Sequence, residues 1–227
     1  MSTPHGRESA SDTLSAARVL SDRADTRPTA TALLSIGGRQ LLVAVRALLV
    51  FTVLLGVGYP LVVFGIGQLI APDRANGSLV TDAAGQTVGS SLIGQQFAGD
   101  QWFLGRPSAA GDGYDAMSSG GSNLSADSAD LQATIEQRRA EIAAADGVDP
   151  AAVPADAVTA SGSGLDPDIS PAYALEQVDR VAAARNLPAD QVRDLVESQT
   201  EGRALGFVGE ERVNVLELNL ALTRLGS

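Results

Sequence analysis

The sequence predicts an α+β protein: one N-terminal membrane-spanning helix, then an extracytoplasmic domain with a small β-sheet and about four helices. Three observations carry that expectation. The 25 residues from Ala47 to Ala71 contain no charged side chain, and a bilayer core needs roughly 20 apolar residues in a helix. Charge divides around this run: residues 1–46 hold six Arg and four acids, and residues 71–227 hold ten Arg and 23 acids. Beyond the run, a short hairpin pattern is followed by segments of helical periodicity, the segregated order of an α+β domain.

The chain accordingly divides into a disordered cytoplasmic tail over 1–42, a transmembrane helix over 43–71 and an extracytoplasmic domain over 72–227. The tail is rich in Ser, Thr, Ala, Asp and Arg, a composition that buries little apolar surface; a weak helix around Leu14–Ser21 is its one feature. The apolar run is too long and begins too late for a cleaved signal peptide. Its polar residues, Thr52, Tyr59 and Gln68, are too few to form the polar face of a surface helix. Arg39 and Arg46 precede the span and only Arg74 follows closely, so the positive-inside rule puts the N-terminus in the cytoplasm. Pro60 predicts a mid-span kink. Gly58 and Gly65 share a face, which Gly56 and Gly67 widen, and small residues let a partner helix approach closely.

After the span, SLVTDAAGQTV reads as a β-hairpin with Gly85 in a left-handed position. The stretch from Gln101 to Ser125 is too long for an ordinary loop, so it is either functional or packed against something. Helices follow. Leu131, Ile135 and Ile142 line one face, with Asp127 or Ser128 as cap. Ser170-Pro171 opens a helix carrying Leu175, Val178 and Val181 that stops near Asn186. Pro188 opens another with Val192, Leu195 and Val196. RVNVLELNLALTRL alternates like a strand at Val213 and Val215, yet repeats like a helix at Val215, Leu218, Leu222 and Leu225; its Leu and Ala content favours helix.

Composition removes most catalytic machinery. Cysteine is absent, all 16 basic residues are Arg, and the one histidine is His5 in the tail. No thiol nucleophile, Walker A lysine, Schiff base or Ser-His-Asp triad is available. The acidic balance argues against nucleic acid as a partner. Two glycine-rich segments remain. Ser119, Gly120, Gly121, Ser122 and Asn123 form a loop whose backbone suits an anion or a carbonyl-bound cation, although a plain flexible loop fits equally. Its two glycines are expected to hold backbone conformations open only to glycine. Ser161, Gly162, Gly164, Asp166 and Asp168 lie in a second such segment. Its two acids suit a cation, although a lone Asp pair is usually solvated. Arg106 suits a phosphate or, preferably, a structural bond to a loop carbonyl. No residue is singled out as catalytic or as a metal ligand.

Six blocks stand in a recognisable order: GSSLIGQQF, WFLGRPSAA, SSGGSNL, VPADAVTASGSGLDPDIS, RVAAARNL and RVNVLELNLAL. Together with the single preceding span they resemble the C subunit of the Kdp-type potassium-transporting ATPase, over nearly everything from Arg46 onward. Two departures stand out: Asp168 replaces the family's usual His, and Ser128-Ala129 fills the place of Asn-Pro. The resemblance implies a non-catalytic accessory subunit of a potassium uptake complex in the bacterial plasma membrane. Its implied partners are a potassium-channel-like subunit, a catalytic P-type ATPase subunit and a small single-span subunit, with lipid around the span. It binds no cofactor alone; ATP and potassium are handled by the complex. The family is described as a catalytic chaperone that raises the catalytic subunit's ATP affinity. With the large domain outside, any such effect is a coupling free energy carried through membrane helices. The alternative is a membrane-anchored standalone extracellular binding or hydrolytic domain.

Overall fold

The computed structural model describes residues 30–225, so the tail helix expected at Leu14–Ser21 lies outside the described residues. The chain forms two compact units that divide between Ile66 and Gly67. Helix α1 (Ala30–Val53) runs into a π-turn (Leu54–Gly58), and α2 (Tyr59–Ile70) continues beyond it, its last four residues counted with the second unit. Gly38–Ile70 is 33 residues long and apolar enough to cross a membrane, about 50 Å at 1.5 Å per residue. The helix starts at Ala30, inside the stretch read as tail, because Ala and Leu at 30–34 are strong helix formers. Where a kink was expected at Pro60, the helix carries a π-turn just before it. Proline has no N–H to give and crowds the preceding turn. The chain widens there, and the Tyr59 N–H bonds to the Leu54 carbonyl five residues back.

After the last turn of α2, the second unit continues with the short helix α3 (Pro72–Ala75). A Cβ on Gly67 would lie 3.5 Å from the Ala75 Cβ, and the Gln68 and Asn76 side-chain amides exchange hydrogen bonds of 2.9 and 3.2 Å. The spacing at Gly67 is that of an ordinary van der Waals contact, so a methyl group would fit there. The hairpin follows as expected: β1 (Leu79–Thr81) pairs antiparallel with β2 (Thr87–Ser90). The Asp82 carboxylate accepts from the N–H groups of Ala84 and Gln86, and Gly85 has φ +79°.

The helical region holds α4 (Ala129–Asp146), α5 (Ala155–Val158), α6 (Pro171–Glu176), α7 (Val178–Arg185), α8 (Ala189–Ser198) and α9 (Val215–Leu225). The four expected long segments are present, one of them broken at Gln177, and the short helix α5 joins them. The Ser128 hydroxyl caps α4 by accepting from the Leu131 N–H, and Gly147 ends it in the left-handed region. The Ser170 hydroxyl caps α6 by accepting from the Tyr173 N–H. Asn186, at φ 56°, closes α7.

Where one sheet was expected, there are two. The second contains β3 (Asp168–Ile169), β5 (Arg212–Asn214) and β4 (Thr200–Glu201), all antiparallel with β5 in the centre. The C-terminal segment proves to be both strand and helix. It runs as β5 to Asn214, whose side-chain oxygen accepts from the Glu217 N–H and starts α9. Val178, Val181, Val192, Val196, Val213, Leu218 and Leu222 are fully buried around Phe103. The long stretch after Gln101 is packed rather than loose. The Asn219 amide clasps both backbone groups of Phe103, each at 2.9 Å. Gln177 does the same to Leu104, at 2.7 and 3.2 Å.

Candidate functional site

The sequence-predicted residues of the second unit come together, because three segments fold onto one another. Tight packing needs glycine at few of these positions. The Gly120 N–H and the Ser119 hydroxyl both donate to the Ser163 carbonyl, at 2.8 and 2.9 Å. Gly164, at φ +66°, lies where a Cβ would meet Ala110 and the Gly120 carbonyl at 2.7 Å. Gly120 and Gly121 are not in the left-handed region, contrary to expectation; that demand falls on Gly164 and on Asn123, at φ 53°. Gly121 is tight in space instead, since its Cβ would sit 3.1 Å from the Gly162 carbonyl, which would have to give by a few tenths of an ångström. The third segment joins through the Ser108 hydroxyl, which donates to the Gly164 carbonyl at 2.6 Å, and through the Ser161 N–H, which donates to the Pro107 carbonyl. Gly162, Ser122 and Asn123 face solvent.

Next to these loops lies a cleft of about 380 Å³ lined by Arg106, Asp156, Asp166, Asp168, Glu210, Glu211 and Arg212, among others. Five acids face two arginines, each of which pairs with one aspartate, so the cleft is net acidic. Arg106 pairs with Asp166 at 2.9 Å and donates to the Thr159 carbonyl, the structural role expected of it, although its Nε is buried without a partner. Asp168 pairs with Arg212 at 3.1 Å and accepts from the Asn214 amide. Burial raises its carboxyl above the usual range, against the pull of Arg212. The two acids are thus held by separate arginines and are not a free pair. Among the described residues, no group of three or more His, Cys, Asp or Glu is placed to hold a metal ion.

Several bracing residues were not singled out from sequence. The Tyr114 hydroxyl donates to the Arg106 carbonyl at 2.6 Å. Burial, then the Asp166 charge, pushes this phenol up to about 12. Arg180 pairs with Asp146 at 2.5 Å, both side chains nearly buried, and also donates to the carbonyls of Asp100 and Trp102. Arg185 lies 4.4 Å over the Trp102 ring. Asn219 and Gln177 did leave a signal: Asn219 is a polar residue on the apolar face of α9, and Gln177 falls in step with the apolar positions Ala174, Val178 and Val181 around the break between α6 and α7. In the span, Gly58 lines an apolar groove with Leu54, Val57, Tyr59 and Val62, and no atom lies within 4 Å of a Cβ placed on Gly65.

One helix among the described residues is long and apolar enough to cross a membrane, and with an α+β unit whose polar residues brace backbone it fits a membrane-anchored protein. The comparisons name its kind. Residues 41–224 match the family described as K+-transporting ATPase, c chain, or KdpC. A protein of Kineococcus radiotolerans, the potassium-transporting ATPase KdpC subunit, is 59% identical over 184 residues, covering 81% of this chain and 93% of that one. The proteins of the same name from Caulobacter vibrioides and Mycobacterium tuberculosis are 55% and 53% identical, covering 76% and 82% of this chain and 86% and 99% of theirs. The chain belongs to the KdpC family.

Proposed function

We propose that this chain is the non-catalytic accessory subunit of an ATP-driven potassium uptake complex, needed to assemble and stabilise the other subunits. The observation that carries this reading is the family match over residues 41–224, in a chain with no lysine, no cysteine and a single histidine in its tail. Such a chain has little with which to run chemistry of its own. Its partners are a potassium-channel-like subunit, a catalytic P-type subunit and a small single-span subunit. The groove beside Gly58 and the open face at Gly65 suit close packing against a partner helix.

Arginine placement supports a cytoplasmic N-terminus and a second unit outside the bacterial plasma membrane. In that orientation the subunit raises the ATP affinity of the catalytic subunit through the span, as a coupling between sites. Direct contact between nucleotide and the Ser119–Asn123 loop is not required. The test is affinity purification of the tagged chain from membranes of cells grown at low potassium. The reading predicts stoichiometric recovery of the other transport subunits. A chain that leaves the membrane alone is the standalone domain instead.

A further inference from the structure

Between β4 and β5 the chain turns back through Gly202–Glu211 and places three apolar side chains in solvent within four residues. Leu205 is 85% exposed, Phe207 74% and Val208 50%. A solvated hairpin tip ordinarily carries Gly, Asn, Asp, Ser or Pro, so a Leu-Gly-Phe-Val tip departs from what solvent alone selects. The tip is ordered by its own backbone. The Gly206 N–H donates to the Arg203 carbonyl at 3.0 Å, the Val208 N–H donates to the Ala204 carbonyl at 2.9 Å, and Ala204 and Val208 form an isolated bridge. Leu205 sits at φ 55°, a left-handed conformation uncommon for a non-glycine residue and one that recurs at ligand clamps. The stem is held by Glu201 and Arg212, paired at 2.6 Å. Leu205 and Phe207 are therefore presented by a preformed turn.

The surrounding charge selects the kind of partner. Glu201, Glu210 and Glu211 stand against Arg203 and Arg212 around the base, and all five are exposed. With Glu201 paired to Arg212, the acidic excess left by Glu210 and Glu211 over Arg203 disfavours an anionic lipid surface and is complementary to a basic protein rim. We propose that the Leu205–Val208 tip is a docking plug for an apolar pocket with a basic rim on the extramembrane surface of a partner membrane subunit. This inference rests on the accessory-subunit reading.

The test uses the complex purified from membranes, with Phe207→p-benzoylphenylalanine in the full chain. Irradiation should join the chain to a partner subunit. An adduct with lipid alone, or none, overturns the proposal. In parallel, the double variant Leu205→Ser, Phe207→Ser should retain partner subunits about tenfold less well through detergent washing, because one buried Phe is worth at least a decade in affinity. Its own melting temperature should hold, since both side chains are exposed. Glu210→Arg with Glu211→Arg should weaken retention most at low salt. Full retention by the serine variant overturns the plug while the accessory reading stands. If the unaltered chain itself purifies without partners, the accessory reading fails and the plug fails with it.

Discussion

Glu176 shows how much one side chain can carry. It ends α6 with one carboxylate oxygen buried and unpartnered. Burial, then the charges of Asp146 and Asp156, raises its pKa from 4.5 to about 7. Below about pH 4.5 the carboxyl is neutral in both the folded and the unfolded chain and has no effect on stability. As pH rises toward 7, the unfolded chain ionises first and the folded one holds the charge poorly, so stability falls across that window. Solvent screening at the exposed part of the side chain reduces the effect well below the full linkage value. Glu176→Gln should therefore raise the melting temperature by about 2 °C at pH 8, the shift produced by a change below 1 kcal/mol, and leave it unchanged at pH 4. Melting curves followed by circular dichroism at both values check this. Asp168 is a different case: burial raises its carboxyl too, but Arg212 and Asn214 hold it in place.

At the scale of elements, the two glycine-rich loops make a contrast that separates packing from flexibility. Gly164 is held at φ +66°, where an added Cβ would lie 2.7 Å from Ala110 and Gly120, whereas a Cβ on Gly162 would have nothing within 4 Å. Gly164→Ala should destabilise the unit by about 1–3 kcal/mol through strain and overlap and speed hydrogen exchange across 118–123. Gly162→Ala should change neither. In the span, Gly58→Leu and Gly65→Leu should cut subunit recovery while insertion persists, because leucine remains apolar. Normal assembly of both variants would remove the groove as an interface.

The elements most legible in the sequence were those with local causes. The caps at Ser128 and Ser170, the turn at Gly85 and the stop at Asn186 all follow from residue type within a few positions. The π-turn was visible only as a proline, because the form of a helix irregularity depends on how the preceding turn relaxes. The second sheet was hidden because its strands are two or three residues long and far apart in sequence, too short to show a period. The candidate loops were legible as glycine-rich segments, but their mutual packing was not. It depends on Ser108, Tyr114 and Ser163, whose partners lie elsewhere in the chain. The tip at Leu205–Val208 was not singled out from sequence, since exposure is a property of the fold.

At the scale of the whole molecule, the span and the second unit contribute different things to one role. The span supplies an apolar surface with a groove. The second unit supplies a braced set of loops whose polar groups are mostly occupied within the chain. That division suits a subunit that holds others in place. The most direct test is potassium-stimulated ATP hydrolysis by the purified complex with and without this chain, alongside the chain alone. The account predicts stimulated activity only when the chain is present together with its partners, and none from the chain by itself. Full activity in its absence, or hydrolysis by the isolated chain, would contradict the account.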